Sequence, residues 1–235
     1  MRPGKMQELT LKTIARIQSD FPTKFGIPRQ SGLVESLTAT VRFETDYRNA
    51  DALRGIEAFS HIWLLWGFSE AQREDWSPTV RPPRLGGNTR MGVFATRSPF
   101  RPNALGLSCV RLLSVEHHPS DGPLLHVAGA DLMDGTPIYD IKPYLLTTDC
   151  HPNATRGFTA LHTDYTLPVE IPDSEARKLS PDKLAALRDV LAQDPRPAYH
   201  HDENRQYGFP FAKHEISFTV QEGVVKVLKI KKIKS

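Results

Sequence analysis

The chain has 235 residues, of which 39% are hydrophobic and 24% charged, with 30 Lys+Arg against 27 Asp+Glu and a formal net charge of +3. That is enough chain for one large domain, or for a core domain with a small satellite, and the composition excludes wholesale disorder. The longest apolar or Gly run, 62–68, is far short of a membrane span, and no apolar stretch follows Arg2 and Lys5 as a secretory signal requires. Two cysteines, Cys109 and Cys150, cannot build a disulfide framework, so the expectation is a cytoplasmic chain with no membrane contact.

In chain order, β-branched and aromatic runs bounded by Gly, Pro, Asn or Ser predict strands over 11–18, 38–43, 58–68, 91–95, 108–115 and 124–130. One short helix is expected over 49–56, with Asn49 as its cap. Many short strands with few helices indicate a closed barrel or a sandwich, not an alternating βαβ array. The composition shifts near Pro168. Ser180-Pro181-Asp182 then reads as a helix start, with Leu184, Leu187, Val190 and Leu191 on one apolar face up to about Gln193. After a polar loop, runs at 216–220 and 224–230 flank Gln221-Glu222-Gly223 as a terminal hairpin. The expected organisation is a β-rich core over 1–167 and a small α+β unit over 168–235.

Read by position, the charge is uneven. Residues 81–111 hold six arginines, no lysine and no acid, so the remainder of the chain is net negative. Arginine presents a rigid fork of donors to phosphate or carboxylate, and here it alternates with Gly, Pro and Asn that allow close backbone approach. The competing explanation is that these arginines pair with acids elsewhere in the fold. A second basic run closes the chain at Lys226, Lys229, Lys231, Lys232 and Lys234, alternating with apolar residues as a solvated, aggregation-resistant edge strand does.

No G-x-G-x-x-G, P-loop, H-E-x-x-H, C-x-x-C or G-x-S-x-G is present, which argues against a Rossmann nucleotide site, a metal centre and a serine nucleophile. Three segments carry chemistry instead. Lys24-Phe25-Gly26-Ile27-Pro28-Arg29-Gln30 offers planar donors on a Gly-Pro turn. Leu85-Gly86-Gly87-Asn88, inside the arginine run, is a turn able to aim N–H groups at an anion. The third runs from Asp131 through Asp134-Gly135-Thr136-Pro137 to Tyr144 and brings three carboxylates, a Thr, Lys142 and two tyrosines around a DGTP turn. Its ordinary alternative is a self-satisfied turn whose acids pair with the surplus arginines. Together these features suit a polyanion or nucleotide site without defining a reaction.

The blocks KFGIPRQ, RPPRLGGNTRMGVFATRSPFRPNALGLS and DLMDGTPIYDIKPY, with LAQDPRPAY and the terminal hairpin, closely resemble the TrmO-type (TsaA/YaeB-like) tRNA methyltransferase family over nearly the whole chain. The resemblance implies a mainly β, single-sheet, non-Rossmann barrel that uses S-adenosylmethionine to methylate N6 of N6-threonylcarbamoyladenosine beside the anticodon. It also implies a homodimer with the cofactor pocket close to the subunit interface; no metal is expected, given the missing ligand spacing. Carried over by position, it implies cofactor contacts from Pro28, Arg29, Gln30, Ser69, Glu70, Arg97, Leu107, Asp131, Leu132, Asp134, Gly135, Thr136 and Pro137. Ser69-Glu70 departs from the His-containing pair often found at that place.

Methyl transfer from a sulfonium is an in-line displacement, so alignment matters most. The N6 nitrogen, flanked by a purine and a carbamoyl group, is a poor nucleophile while its proton remains. Asp134 and Asp140 are therefore the candidate proton acceptors, and Lys142, Arg90 or Arg101 the candidate partners for the threonyl carboxylate or a flanking phosphate. Arg84, Arg90 and Arg101 are expected on the RNA face, with Tyr139, Tyr144 and Phe100 as planes for a splayed base. Two alternatives remain at this point: a tRNA-loop-binding protein of the same fold without methyl transfer, and a β-barrel methyltransferase for another RNA or a small molecule.

Overall fold

The computed structural model describes residues 8–69, 76–82, 89–161, 165–197, 202 and 205–234. Alternation of apolar and polar residues sets the first sheet. In β1 (Ala15–Gln18), β2 (Thr38–Phe43) and β3 (His61–Gly67) every second side chain is buried, among them Ile17, Val41, Ile62 and Leu64. A two-stranded ribbon of β4 (Thr79–Val80) and β5 (Met91–Gly92) follows. Next come the long β6 (Leu105–His118), then β7 (Gly122–Ala128) and β8 (Pro137–Pro143). Six of these strands close into a barrel in the order β1-β2-β7-β6-β3-β8, and β1 seals it by pairing with β8 at Ala15↔Ile138. Closure leaves no free edge in that sheet.

After α1 (Leu146–Asp149), a second sheet has the order β10-β11-β12-β9, from β9 (Val169–Glu170), β10 (Tyr207–Phe211), β11 (His214–Gln221) and β12 (Val224–Lys232). It packs against α3 (Pro181–Ala192), which buries Ala186, Leu187, Val190 and Leu191. The short α2 (Asp173–Ala176) guards the edge of β12: the Ile230 N–H donates to Glu175 at 2.5 Å, and Lys178 Nζ donates to the Ile230 carbonyl at 3.0 Å. Side chains thus take the place of a neighbouring strand along the lysine-rich β12, whose outer positions are solvated.

The second core is not made from C-terminal residues alone. Phe21, Val34 and Leu37, with Phe25 and Ile27 beside them, come from the β1–β2 connection and pack among Phe209, Phe211 and Phe218. Gly26 has φ +95, and a Cβ there would lie 2.6 Å from the Phe209 ring, so a glycine is required on both counts. Lys183 to Asp20 at 2.6 Å fastens the same connection to α3.

Several sequence expectations change in detail. The strand expected over 11–18 begins only at Ala15, and residues 49–56 form successive 3-10 turns in which the Asn49 side chain accepts from the Asp51 N–H at 3.0 Å. Residues 93–95 turn out of β5 as a 3-10 turn, while β6 extends well past the expected ends at both sides. Ser180 precedes α3 but makes no side-chain cap; its hydroxyl serves the Asp182 carboxylate instead, holding that carboxyl below the usual range. Residues 137–143, not among the expected strands, form β8, and the polar loop before the terminal hairpin gives way to β10 at Tyr207.

Candidate active site

The barrel end nearest the β1–β2 connection gathers three distant segments. Ser108 on β6 is buried. Its hydroxyl accepts from the Trp66 indole N–H at 2.9 Å and donates to Asp131 Oδ1 at 2.6 Å. Gly106 makes room for this arrangement, because a Cβ there would overlap the Trp66 ring. Burial pushes the Asp131 carboxyl above the usual range, while the Ser108 hydroxyl, the nearby Arg97 charge and the Ser31 backbone N–H pull it back in part. Arg97 in turn donates to Gln30 Oε1, and the Gln30 amide donates to the Arg29 carbonyl at 2.5 Å. Arg29 Nη2 reaches the Asp194 carbonyl at 3.2 Å.

Asp194 belongs to a buried polar cluster in the C-terminal unit. Its carboxylate takes two hydrogen bonds from the Arg196 guanidinium, at 2.7 and 2.9 Å, one from the Arg196 backbone N–H at 3.4 Å, and one from the Tyr165 hydroxyl at 3.0 Å. Burial works against the charged carboxylate, yet these donors hold Asp194 below the usual carboxylate range. The loop carrying Pro28, Arg29 and Gln30 is therefore clamped between barrel and C-terminal unit, and this dependence has no local sequence signal.

The 131–144 segment divides into three parts. Leu132 and Thr136 are buried, and the Thr136 hydroxyl closes the turn onto the Met133 carbonyl at 2.6 Å. Asp134, next to Gly135, is exposed; its Oδ1 accepts from the Ser19 N–H at 3.0 Å, and its own N–H donates to the Phe21 carbonyl at 2.8 Å. Pro137 begins β8 opposite Arg16. Asp140 and Lys142 stand farther along β8, opposite Leu65 and Trp63, and pair with each other at 3.0 Å. Leu65 also faces Leu107 on β6, so Asp140 and Leu107 flank Leu65 on the barrel's outer wall. The three carboxylates thus occupy separate places: Asp131 half-buried at the barrel end, Asp134 at the β1 turn, Asp140 on the outer wall.

Apart from Asp140 and Lys142, that wall is apolar. Leu107, Leu145 and Leu146 are 55%, 45% and 72% exposed, beside Trp63 and Leu65. Tyr144 packs on Trp63 with ring centroids 5.8 Å apart, and the Trp63 indole donates to Asp149 at 2.8 Å. Tyr139 lies against Gly67, whose lack of a side chain admits the phenol. Ser69 is exposed at the end of β3, whereas Glu70, Arg84 and the Leu85–Asn88 turn lie outside the described residues.

The arginine run keeps its charge available. Among the described residues, no ion pair involves an arginine from 81–111. Arg90 instead donates to the Thr79 hydroxyl at 3.1 Å, and Arg101 to the Thr96 carbonyl at 3.3 Å. Among the described residues, acids elsewhere in the fold therefore do not neutralise Arg81, Arg90, Arg97, Arg101 or Arg111 by ion pairing. Two cavities of about 390 and 370 Å³ flank β1, one toward α3 and His126, the other beside Arg16, Arg42 and Arg48; neither is lined by Asp131, Arg97 or Gln30. No cluster of three or more His, Cys, Asp or Glu suited to a metal occurs among the described residues, and no described helix is long and apolar enough to cross a membrane.

Comparison with known proteins agrees with this architecture. The tRNA-methyltransferase O N-terminal domain model matches residues 16–150, and the TrmO C-terminal domain model matches 165–233. A tRNA (adenine(37)-N6)-methyltransferase of Escherichia coli (strain K12) is 45% identical over 204 residues, covering 84% of this chain and 86% of that one. A putative S-adenosylmethionine-dependent methyltransferase, RcsF, of Pseudomonas aeruginosa is 39% identical, covering 85% and 87%. The crystal structure of TrmO from the same species superposes with a TM-score of 0.80 at 30% identity, over 98% of this chain and all of that one. With both domain models matched in order and the barrel and C-terminal sheet in place, the chain belongs to the tRNA-methyltransferase O family.

Proposed function

We propose that this protein is a tRNA adenine-N6 methyltransferase that uses S-adenosylmethionine and acts on position 37, where the adenine already carries an N6-threonylcarbamoyl group. The observation that carries the reading is the meeting of Gln30, Arg97 and Asp131 at one end of the barrel, within a chain whose relatives are named for this activity. The residues present fit the cofactor: a half-buried carboxylate, Asp131, suits its cationic groups, the Arg97 and Arg29 guanidiniums suit its carboxylate, and exposed Leu107 offers an apolar surface to its purine. Pro28, Gln30, Ser69, Leu132, Thr136 and Pro137 shape the same pocket, with Glu70 next in sequence, while Gly135 lines the cavity beside Arg16 with Asp134 and holds the turn. When bound, S-adenosylmethionine supplies an electrophilic methyl group on sulfonium sulfur.

The chain's own residues then orient the substrate nitrogen and take its proton. Asp140 is the better placed acceptor, because it stands on the wall that carries Leu107, whereas Asp134 is engaged with the Ser19 N–H at the β1 turn and acts by positioning the loop. Lys142, 3.0 Å from Asp140, meets the threonyl carboxylate and leaves Asp140 free to accept the N6 proton. Arg84, Arg90 and Arg101 contact phosphates, and Tyr139 and Tyr144 border the base. The apolar outer wall at Leu107, Leu145 and Leu146 forms the homodimer interface, which puts the partner copy beside the cofactor site. The boundary between the two units is placed at 167/168, and tRNA as substrate places the enzyme in the cytoplasm.

Nucleoside mass spectrometry of tRNA incubated with protein and S-adenosylmethionine tests the reading. A methyl increment on threonylcarbamoyladenosine supports it; an unchanged nucleoside profile removes it.

A further inference from the structure

The arginine run carries an aromatic feature that the sequence patterns did not single out. Phe94 stands on the 3-10 turn Val93–Ala95, directly after β5, and Trp76 lies three residues before β4. Their rings stack with centroids 6.0 Å apart and planes inclined by 27°. Both are exposed to solvent, Phe94 to 73% and Trp76 to 50%. The turn beneath them is rigidly tied. Val93 is buried, its N–H donates to the Pro78 carbonyl at 3.0 Å, and Thr96 closes the turn onto the Val93 carbonyl through its hydroxyl at 2.9 Å. Two large near-parallel rings are thereby held out into water by their own backbone.

The charge around them selects one kind of occupant. From Trp76 to Val115 the sequence contains six arginines and no acid or lysine. Arg90 is fixed on the ribbon through Thr79 and Arg101 on the turn through Thr96, while exposed Arg97 leads from the same turn to Gln30 and the Asp131 site. An aromatic plane among arginine donors matches an unpaired nucleotide, whose base stacks and whose phosphates take the guanidiniums.

The geometry points to the Trp76–Phe94 pair as a stacking platform for an unpaired base of the tRNA anticodon loop, next to the base being modified. This rests on the tRNA reading above and adds a base-binding site to it. Stacking tolerates any base, so the platform contributes affinity and loop posture without sequence preference.

The test measures binding of a synthetic anticodon stem–loop, with the threonylcarbamoyl group on its position-37 adenine, to the unaltered protein and to Phe94→Ala, Trp76→Ala and Phe94→Trp. Alanine at either position weakens binding roughly 5- to 150-fold. Phe94→Trp retains it, and the salt dependence of the remaining affinity keeps its slope, because no phosphate contact is lost. S-adenosylmethionine affinity by calorimetry and molecular mass by sedimentation stay as in the unaltered protein. Alanine variants that bind the stem–loop within twofold of the unaltered protein overturn the platform alone. So does a loss that comes with subunit dissociation or lost cofactor affinity, since the rings would then serve the interface or the cofactor pocket. Failure of the unaltered protein to bind the stem–loop brings down the tRNA reading and the platform with it.

Discussion

Replacing Arg196 by alanine strips the Asp194 carboxylate of two hydrogen bonds, at 2.7 and 2.9 Å, and of its counter-charge, and leaves the Tyr165 hydroxyl at 3.0 Å and the backbone N–H of residue 196 at 3.4 Å. Removing one partner of a buried pair costs about 3–5 kcal/mol. The two side chains retain 17% and 8% of their exposure, so partial solvation and the surviving phenol reduce that to about 2–4 kcal/mol. In a chain of this length the loss lowers the melting temperature by about 5–15 °C. Far-UV circular dichroism follows it best, because α3 belongs to the affected unit, whereas Trp63, Trp66 and Trp76 all lie in the barrel half.

The sign of its pH dependence follows from the wild-type carboxyl, which sits below its ordinary value. The stability it contributes is present above the unfolded-state value and is lost as pH falls through the folded one. Without Arg196, burial dominates and raises the carboxyl, so the variant is penalised most near neutral pH and the two stability curves converge in acid. The pair replaced together, Asp194→Asn with Arg196→Met, recovers to within about 1 kcal/mol of the wild type. Since Arg29 is held by the Asp194 carbonyl, the single variant also binds S-adenosylmethionine more weakly. An Arg196→Ala protein within about 0.5 kcal/mol of wild type, or one whose stability runs parallel to it across pH, refutes the reasoning.

Three further outcomes are expected. Asp131→Asn removes a carboxyl raised by burial, whose charged form disfavours the fold increasingly as pH rises through its folded value; the variant is at least as stable as wild type at neutral pH by thermal melting, yet binds S-adenosylmethionine roughly 10- to 100-fold more weakly by calorimetry. Gly26→Ala combines a positive φ with overlap against Phe209 and costs about 2–4 kcal/mol in urea unfolding; a loss under about 1 kcal/mol shows that the loop yields instead. Leu146→Asp puts a charge on the exposed apolar wall and disrupts the proposed homodimer, read by sedimentation as a fall to monomer mass; an unchanged mass removes this wall as a subunit interface.

How much was legible depended on how local each signal was. The strand at 38–43 and the α3 face at Leu187, Val190 and Leu191 rest on periodicity within one element, and both stand where the pattern puts them. β8 was hidden because its register shifts opposite Leu65 and Trp66, which breaks the two-residue alternation between Ile138 and Ile141, and because prolines stand at both ends. β10 carries a clean alternation of Tyr207, Phe209 and Phe211, but Gly208 and Pro210 between them read as loop; the proline is tolerated because β10 is an edge strand. The sharing of Phe21, Val34 and Leu37 with the C-terminal core, and the Arg29–Asp194 link, join residues far apart in sequence and have no periodic trace.

The arginines of 81–111 are the reverse case. Their excess was visible from composition by position, and the fold supplies the missing fact that, among the described residues, no carboxylate pairs with them. Trp76 and Phe94 escaped notice because solvent exposure of an aromatic ring depends on the turn that holds it.

The central claim is methyl transfer to the N6 of threonylcarbamoyladenosine, and the most direct measurement is nucleoside mass spectrometry on two substrates side by side: tRNA bearing that group at position 37, and the same tRNA transcribed without it. The proposed chemistry predicts a methyl increment only on the carbamoylated nucleoside, abolished by omitting S-adenosylmethionine and strongly reduced by Asp140→Asn. Methylation of the unmodified adenine instead, or no increment on either tRNA with a folded, cofactor-binding protein, would contradict it.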